Sequence, residues 1–338
     1  MSLNEFFHNA RETEVDLAWC HWNRLGVAGR GKVNSCSTDP EALILLTSIV
    51  GRHDLRLSAV MDEWLGCYES LVSVERLKRY IKGLQADAGA SNDHYVILHD
   101  ALSRLDAKRW QPIFNLIADK RSTNISENNR TPSRKKLEQH DHIIRENRQL
   151  FLRLMFGVGS RADIIYYAGV MENQEKNPFG LRICAPHLTR MLHYNTSSVF
   201  RTLLDLEEAG VFVADPRAQS KKSKTYAPNA RLEESRHLFS PVEHNDRAFI
   251  DWLPIVRICL LLASLEKGLD EAIDESIVKS RLKDYLTACA RSIDDACIDL
   301  KDSLGIEAHF PALISVGFDE LQGWALAQLE GIYEFVAG

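Results

Sequence analysis

One segment of this chain constrains the fold more than any other, because helix, turn and strand signals alternate in it at short intervals. The segment spans residues 181–229 and reads LRICAPHLTRMLHYNTSSVFRTLLDLEEAGVFVADPRAQSKKSKTYAPN. Two short amphipathic helices joined by a tight turn follow a short strand and precede a strand pair with a lysine-rich tip. The pattern predicts a small unit of helices and strands in the middle of the chain.

The helix boundaries follow from residues with known positional preferences. Pro186 suits the first turn of a helix, where the missing N–H costs nothing. Asn195 is a good N-cap for the second helix, and Gly210 stands where glycine commonly ends one. Residues 211–213 and 225–227 have the composition of strands, with a turn at Asp215-Pro216 between them. The apolar positions of the second helix recur at helical spacing: Val199, Phe200, Leu203, Leu204 and Leu206.

This order of elements resembles the winged helix-turn-helix domains of bacterial transcription regulators of the MarR and ArsR type. The resemblance covers roughly residues 151–230. His193 departs from the family pattern, in which glycine is common at the turn, although histidine tolerates a positive φ better than most residues. The matching positions are Leu188, Asn195, Val199, Leu203, Leu206, Gly210 and Val211.

The resemblance implies that the second helix enters the major groove of duplex DNA. Hydroxyls and one arginine near its start suit contacts with bases and phosphates, and lysines at the hairpin tip suit phosphates. The alternative for these lysines is a solvated hairpin tip. The implied contact residues are Thr196, Ser197, Ser198, Arg201, Thr202, Lys221, Lys222 and Lys224. Winged helices also serve as protein–protein modules, so the fold alone does not decide the function.

The charge distribution favours a localised contact with nucleic acid. The formal net charge is −6, yet residues 121–240 hold 19 Lys and Arg against 13 Asp and Glu. A basic segment inside an acidic chain is typical of a confined binding face. The basic run at residues 130–136 is either an arm along the DNA backbone or part of a polar linker.

The rest of the chain is predicted to be mainly α-helical. We expect a helical N-terminal domain over residues 1–120, a polar linker over 121–148, the winged unit over 149–230 and a helical C-terminal region over 245–338. The N-terminal helices are either a plain helical domain or a degenerate second helix-turn-helix. The basic residues of the helix near residues 73–84 are interpreted as solvated: Arg76, Lys78, Arg79 and Lys82.

Long helices at residues 275–304 and 318–335 either form a homodimer, which suits paired DNA half-sites, or pack within the monomer. No catalytic residue, metal or cofactor is expected. The spacing of Cys184, His187 and His193 superficially resembles a zinc site, but residues six apart on one helix face different sides.

Scattered cysteines and the lack of an apolar leader or membrane-spanning run indicate a cytoplasmic protein. The sequence therefore predicts a DNA-binding transcriptional regulator without catalysis. The alternative is an adaptor or antitoxin-like regulatory subunit whose winged helix docks a partner protein.

Overall fold

The computed structural model describes residues 3–29, 38–87, 90–117, 147–174, 182–215, 224–229, 249, 251–270 and 280. These residues are mainly helical, with one small antiparallel sheet. The first six helices are α1 (Leu3–Arg24), α2 (Pro40–Val50), α3 (Leu55–Tyr68), α4 (Val74–Asp87), α5 (Val96–Ser103) and α6 (Ala107–Ile117). None of the described helices is both long and apolar enough to span a membrane.

Helix α2 forms the centre of this first group. All eleven of its residues are buried, and α1, α3, α4 and α5 pack around it. A helix that is apolar on every side is stable only when it is enclosed in this way. Its start is fixed by Asp39, whose carboxylate accepts the backbone N–H of Glu41 at 3.0 Å and of Ala42 at 3.1 Å. Pro40 occupies the first turn, where no hydrogen bond is lost.

The middle of the chain forms a second group of elements. Its helices are α7 (Arg148–Phe156), α8 (Ser160–Gln174), α9 (Ala185–Leu192) and α10 (Thr196–Glu208). Its strands are β1 (Ile183–Cys184), β2 (Phe212–Ala214) and β3 (Thr225–Pro228). The sheet has the order β1-β3-β2, and both pairings are antiparallel. The helices and strands expected here from the sequence are confirmed in type and approximate extent.

A last helix, α11 (Leu253–Asp270), returns to the first group and packs against α2 and α1. Its buried side chains include Ile255, Val256 and Cys259, which belong to the same core as α1–α6. We call α1–α6 with α11 the helical body, and residues 147–229 the central unit. The part of the C-terminal region that the structure describes is therefore built into the helical body. The helices expected at 275–304 and 318–335 lie outside the described residues, apart from Ser280, so the homodimer stays a prediction.

Two hydrophobic cores result, and α7 joins them. Leu150 is buried in the core of the helical body, whereas Leu152, two residues later, is buried in the core of the central unit. The helical conformation is interrupted between α7 and α8 at Gly157, whose φ of 80° is accessible to glycine at little cost. The polar linker expected at residues 121–148 lies almost wholly outside the described residues.

Candidate nucleic-acid interface

The turn between α9 and α10 has the backbone conformation that the sequence predicted. His193 lies in the left-handed region, with φ 54° and ψ 36°, and is the one non-glycine residue with positive φ in the described ranges. Asn195 caps α10, because its side-chain oxygen accepts the backbone N–H of Ser197 at 3.0 Å. His193 Nε2 lies 2.9 Å from Asp251 Oδ1, and its ring centroid is 4.7 Å from that of Tyr80. Residues of the helical body thus hold the turn in place.

The sheet follows directly from the end of α10. Gly210 adopts a φ of 74°, and the backbone N–H of Val211 donates to Leu206 O at 2.9 Å, which closes the helix. In the sheet, Phe212 on β2 and Tyr226 on β3 are each about 1% exposed, whereas Val213, the residue after Phe212, is 49% exposed. The alternation is typical of strands with one face against a core.

Three of the predicted contact residues lie on an exposed surface together. Thr196, Ser197 and Arg201 are exposed along the first two turns of α10. Ser198 is partly buried, and its hydroxyl lies 3.3 Å from that of Ser160. The start of α10 is therefore open to a ligand, with Thr196, Ser197 and Arg201 as its accessible side chains.

The expected position of Thr202 on the outward side of the helix is wrong. Its side chain is 8% exposed, and its hydroxyl lies 2.7 Å from that of Ser160 on α8. Residue 202 follows Val199 by three positions, so it continues the buried stripe of Val199 and Leu206. Thr202 joins α10 to α8 and does not belong to the contact surface.

Lys224 has a carboxylate partner. Its Nζ lies 2.6 Å and 2.9 Å from the two carboxylate oxygens of Glu207, and over the ring of Tyr226 at 5.4 Å from the centroid. An ion pair of this kind reduces the charge available to a phosphate. Lys221 and Lys222 lie outside the described residues, so their place at the hairpin tip stays a prediction.

A network of buried charges lies between the helical body and the central unit. Arg153 Nη1 donates to Glu41 Oε1 at 2.7 Å, and Arg153 Nη2 donates to Asp163 Oδ2 at 2.9 Å. Arg76 Nη1 donates to Glu41 Oε2 at 2.7 Å, and Arg76 Nη2 donates to Asp39. The interpretation of Arg76 as solvated is wrong: it is 1% exposed, because carboxylates from α2 and α8 surround its guanidinium.

The charge states follow from this geometry. Burial opposes ionisation of Asp39, but Arg76 and Arg153 outweigh it and hold the pKa of Asp39 at about 2. The same arginines lower the pKa of Asp163 against the effect of burial. Burial raises the pKa of Glu41, and the arginines oppose this only in part. Both oxygens of Glu41 accept from guanidinium groups, which cannot accept in return, so the geometry holds a carboxylate.

The network extends to the turn before α10. Arg76 Nε donates to Leu192 O, and Arg79 Nη1 donates to Tyr194 O, both at 2.9 Å. The Tyr194 hydroxyl donates to Asp163 Oδ2 at 2.8 Å. These bonds fix the orientation of α9 and α10 relative to the helical body, while the start of α10 remains exposed.

A cavity of about 710 Å³ opens beside the start of α10, between the first turn of α9 and strand β3. Its apolar lining comes from Ala185, Pro186, Phe200 and Tyr226. Its polar lining comes from Asn195, Thr196, Ser197 and Lys224. The cavity thus shares Thr196, Ser197 and Lys224 with the predicted contact surface.

The histidines of the zinc-like spacing have separate partners. His187 Nε2 lies 2.6 Å from the hydroxyl of Tyr167, and His193 is bonded to Asp251 as described above. Cys184 is a half-buried free thiol. Within the residues that the structure describes, no three or more His, Cys, Asp or Glu side chains are grouped so that they could hold a metal ion.

Comparison with known proteins gives no relative for this chain. No protein-family model, curated protein or solved structure matches it.

Proposed function

We propose that the chain is a DNA-binding transcriptional regulator whose central unit is a winged helix-turn-helix, with α10 as the helix that enters the major groove. The order of elements supports this proposal. Helix, strand, two helices and two strands follow one another, and the sheet order β1-β3-β2 puts the returning strand between the other two. The tight turn at His193 and the capped start of α10 agree with it.

The observation that carries the proposal is the exposed first half of α10. Thr196, Ser197 and Arg201 present two hydroxyls and one guanidinium, which suit base edges and phosphates. Arg201 makes no ion pair with any described residue, in contrast to Lys224. A rigid helix with these groups at its open end can make direct contacts in a groove about 12 Å wide.

The buried network supports the same function because it holds α9 and α10 against the helical body. Bonds from Arg76 and Arg79 to the α9–α10 turn hold the helix pair on the helical body. A binding element fixed in this way loses little conformational freedom when it binds. The proposed mechanism is occlusion or recruitment at an operator, without chemistry.

A second candidate function is an adaptor that docks a partner protein through the same surface. The observation that favours it is the pairing of cations near the sheet and α10. Lys224 pairs with Glu207, and Arg161 pairs with Asp205 at 3.1 Å. Such pairing weakens a positive field, and the apolar cavity beside α10 suits a protein side chain as well as a nucleic acid.

Selection of duplexes from a random-sequence DNA library by the full chain tests the proposal. We expect enrichment of a defined site, and affinity for that site at least about a hundredfold above that for random duplex. The Arg201→Ala variant is expected to lose about 1–3 kcal/mol on the selected site and much less on random duplex. Lys82→Ala is the charge-matched control, because Lys82 is exposed on α4 outside the central unit.

If Arg201→Ala loses equal binding free energy on the selected site and on random duplex, Arg201 contacts phosphate only and does not read bases. Selection that enriches no sequence, together with equally weak binding of every duplex, would overturn the DNA proposal and favour the adaptor.

A further inference from the structure

Two cations beside α10 are paired with carboxylates of that helix. Lys224 Nζ lies 2.6 Å and 2.9 Å from the two carboxylate oxygens of Glu207. On α8, Arg161 Nη2 donates to Asp205 Oδ2 at 3.1 Å. Successive residues of a helix are about 100° apart around its axis, so Asp205 and Glu207 lie on sides of α10 that differ by about 160°. The two ion pairs therefore flank the helix.

Both pairs are open to solvent and to an incoming anion. The side chain of Lys224 is 25% exposed, and that of Arg161 is 48% exposed. The pair with Lys224 is the closer one, and the hydrogen bonds to Glu207 raise the pKa of Lys224. Exposed ion pairs contribute little to folding stability. Their main consequence is that two cations beside α10 present a reduced charge to a phosphate.

Arg201 differs from these two cations. It is exposed near the start of α10 and makes no ion pair with any described residue. The cation placed to reach a base edge is therefore free, whereas the two cations at the sides of the helix are paired. This division has a consequence for selectivity, because phosphate contacts are the same in every sequence and base contacts are not.

We propose that Glu207 and Asp205 are specificity-determining residues of this surface. They hold Lys224 and Arg161 back from phosphates and so limit the affinity for duplexes that lack the preferred site; this inference rests on the proposed function. On random duplex the chain adopts the orientation with most phosphate contacts, so a freed cation is used there in full. On the preferred site Arg201 fixes the orientation, and a freed cation contributes only if a phosphate lies within its reach.

The Glu207→Gln variant tests the closer pair. Glutamine keeps the size of the side chain and an acceptor oxygen for Lys224, but it removes the charge. We expect the affinity for random duplex to rise about threefold to tenfold at about 0.1 M salt, and the slope of log affinity against log salt to steepen by about 0.9. The gain on the selected site should be at most about twofold, so the ratio of the two affinities falls. Asp205→Asn should act in the same direction by freeing Arg161.

Glu208→Gln is the matched control. Glu208 is exposed on the same helix and makes no ion pair with any described residue, so this variant changes the net charge equally but frees no cation. We expect it to change the affinity for random duplex less than about twofold and to leave the salt slope unchanged. Adding Lys224→Ala to Glu207→Gln should remove the gain, because Lys224 is the cation that is released.

Immobilised heparin, a sulfated polyanion without bases, gives a readout that needs no DNA. We expect Glu207→Gln to elute at higher salt than the wild type and Glu208→Gln. If the two variants eluted together and bound random duplex equally, the proposal would be overturned. Weaker binding of random duplex by Glu207→Gln would overturn it as well, because the ion pair would then position Lys224 for contact with DNA.

Equal gains of Glu207→Gln on random duplex and on the selected site would overturn the role in specificity, since Glu207 would then lower the affinity for every duplex alike. If selection enriches no sequence while heparin elution shifts as expected, the proposed function fails and the role in specificity fails with it. The restraint of Lys224 by Glu207 stands in that case. The two failures are therefore distinguishable.

Discussion

Replacement of Arg153 by methionine is the most direct test of the buried network. Arg153 is 1% exposed and makes five hydrogen bonds, two to Glu41, two to Asp163 and one to Leu71 O. Methionine keeps an apolar stem of similar length and removes the guanidinium. Arg76 is then the one arginine of the network that still faces the two carboxylates. Removing one partner of a buried ion pair costs about 3–5 kcal/mol, because the remaining charge stays buried.

Urea unfolding measures this loss. With a slope of about 3 kcal/mol/M, the midpoint should fall by about 1–1.7 M. The six tryptophans all lie outside the central unit, at positions 19, 22, 64, 110, 252 and 324. Those at 19, 22, 64, 110 and 252 are buried in the core of the helical body, and Trp324 lies outside the described residues. Tryptophan fluorescence is therefore expected to follow mainly the helical body, whereas far-UV circular dichroism follows both units. We expect the two signals to coincide in the wild type and to separate in Arg153→Met, because the network joins the units.

Arg104→Met is the matched control. The Arg104 side chain is 36% exposed and pairs with Asp62 and Asp100 at the surface. Exposed ion pairs contribute about 0–1 kcal/mol, so this variant should lose less than about 1 kcal/mol. If Arg153→Met lost no more stability than Arg104→Met, and its two signals still coincided, the argument from burial would be refuted.

Three further perturbations have expected outcomes of their own. Lys221→Ala combined with Lys222→Ala should lower the slope of log affinity for DNA against log salt by about two. Adding Lys224→Ala should change the slope by less than one, because Lys224 pairs with Glu207. An unchanged slope in the double variant contradicts the hairpin contact. Burial raises the pKa of Glu14 from 4.5 to about 8. The unfolded chain therefore loses this proton before the folded chain does, and the unfolding free energy falls from pH 4.5 to 8. Glu14→Gln should have a higher unfolding free energy than the wild type at a pH of about 9 but not at a pH of about 5. His193→Val should lower the unfolding free energy by about 1–2 kcal/mol, since a β-branched residue is disfavoured at a φ of 54°, and an unaffected midpoint in urea would show that the turn adapts.

Local signals predicted the central unit because they act within a few residues. Asn195 and Gly210 bound α10 through hydrogen bonds and backbone conformations that depend on near neighbours. The strand pair after Gly210 is also predicted by residues that lie close to one another in the sequence. Thr202 could also have been placed correctly, since it continues the stripe of Val199 at a spacing of three.

The buried network could not be predicted from the sequence in this way, because its partners are far apart in the sequence. Arg153 and Glu41 are separated by 112 positions, and no local pattern pairs them. A weak signal was present: Arg153 stands within the apolar run LFLRLMF, and Asp163 within ADIIYY. A charge inside an apolar stretch needs a counter-charge when the stretch is buried. The identity of that partner is a tertiary property.

The return of α11 to the helical body has a consequence for biosynthesis. The body takes its core from residues 15–117 and again from residues 252–263, with Leu150 added at its junction with α7, so the central unit is an insertion within it. A ribosome releases the chain from the N-terminus, and domains generally fold in the order of their synthesis. Here the core of the inserted unit is complete once Phe249, whose ring packs against Tyr167, has been made, and this precedes Val256 and Leu260. During translation the inserted unit can therefore reach its final packing first, and the body that encloses α2 is finished only afterwards.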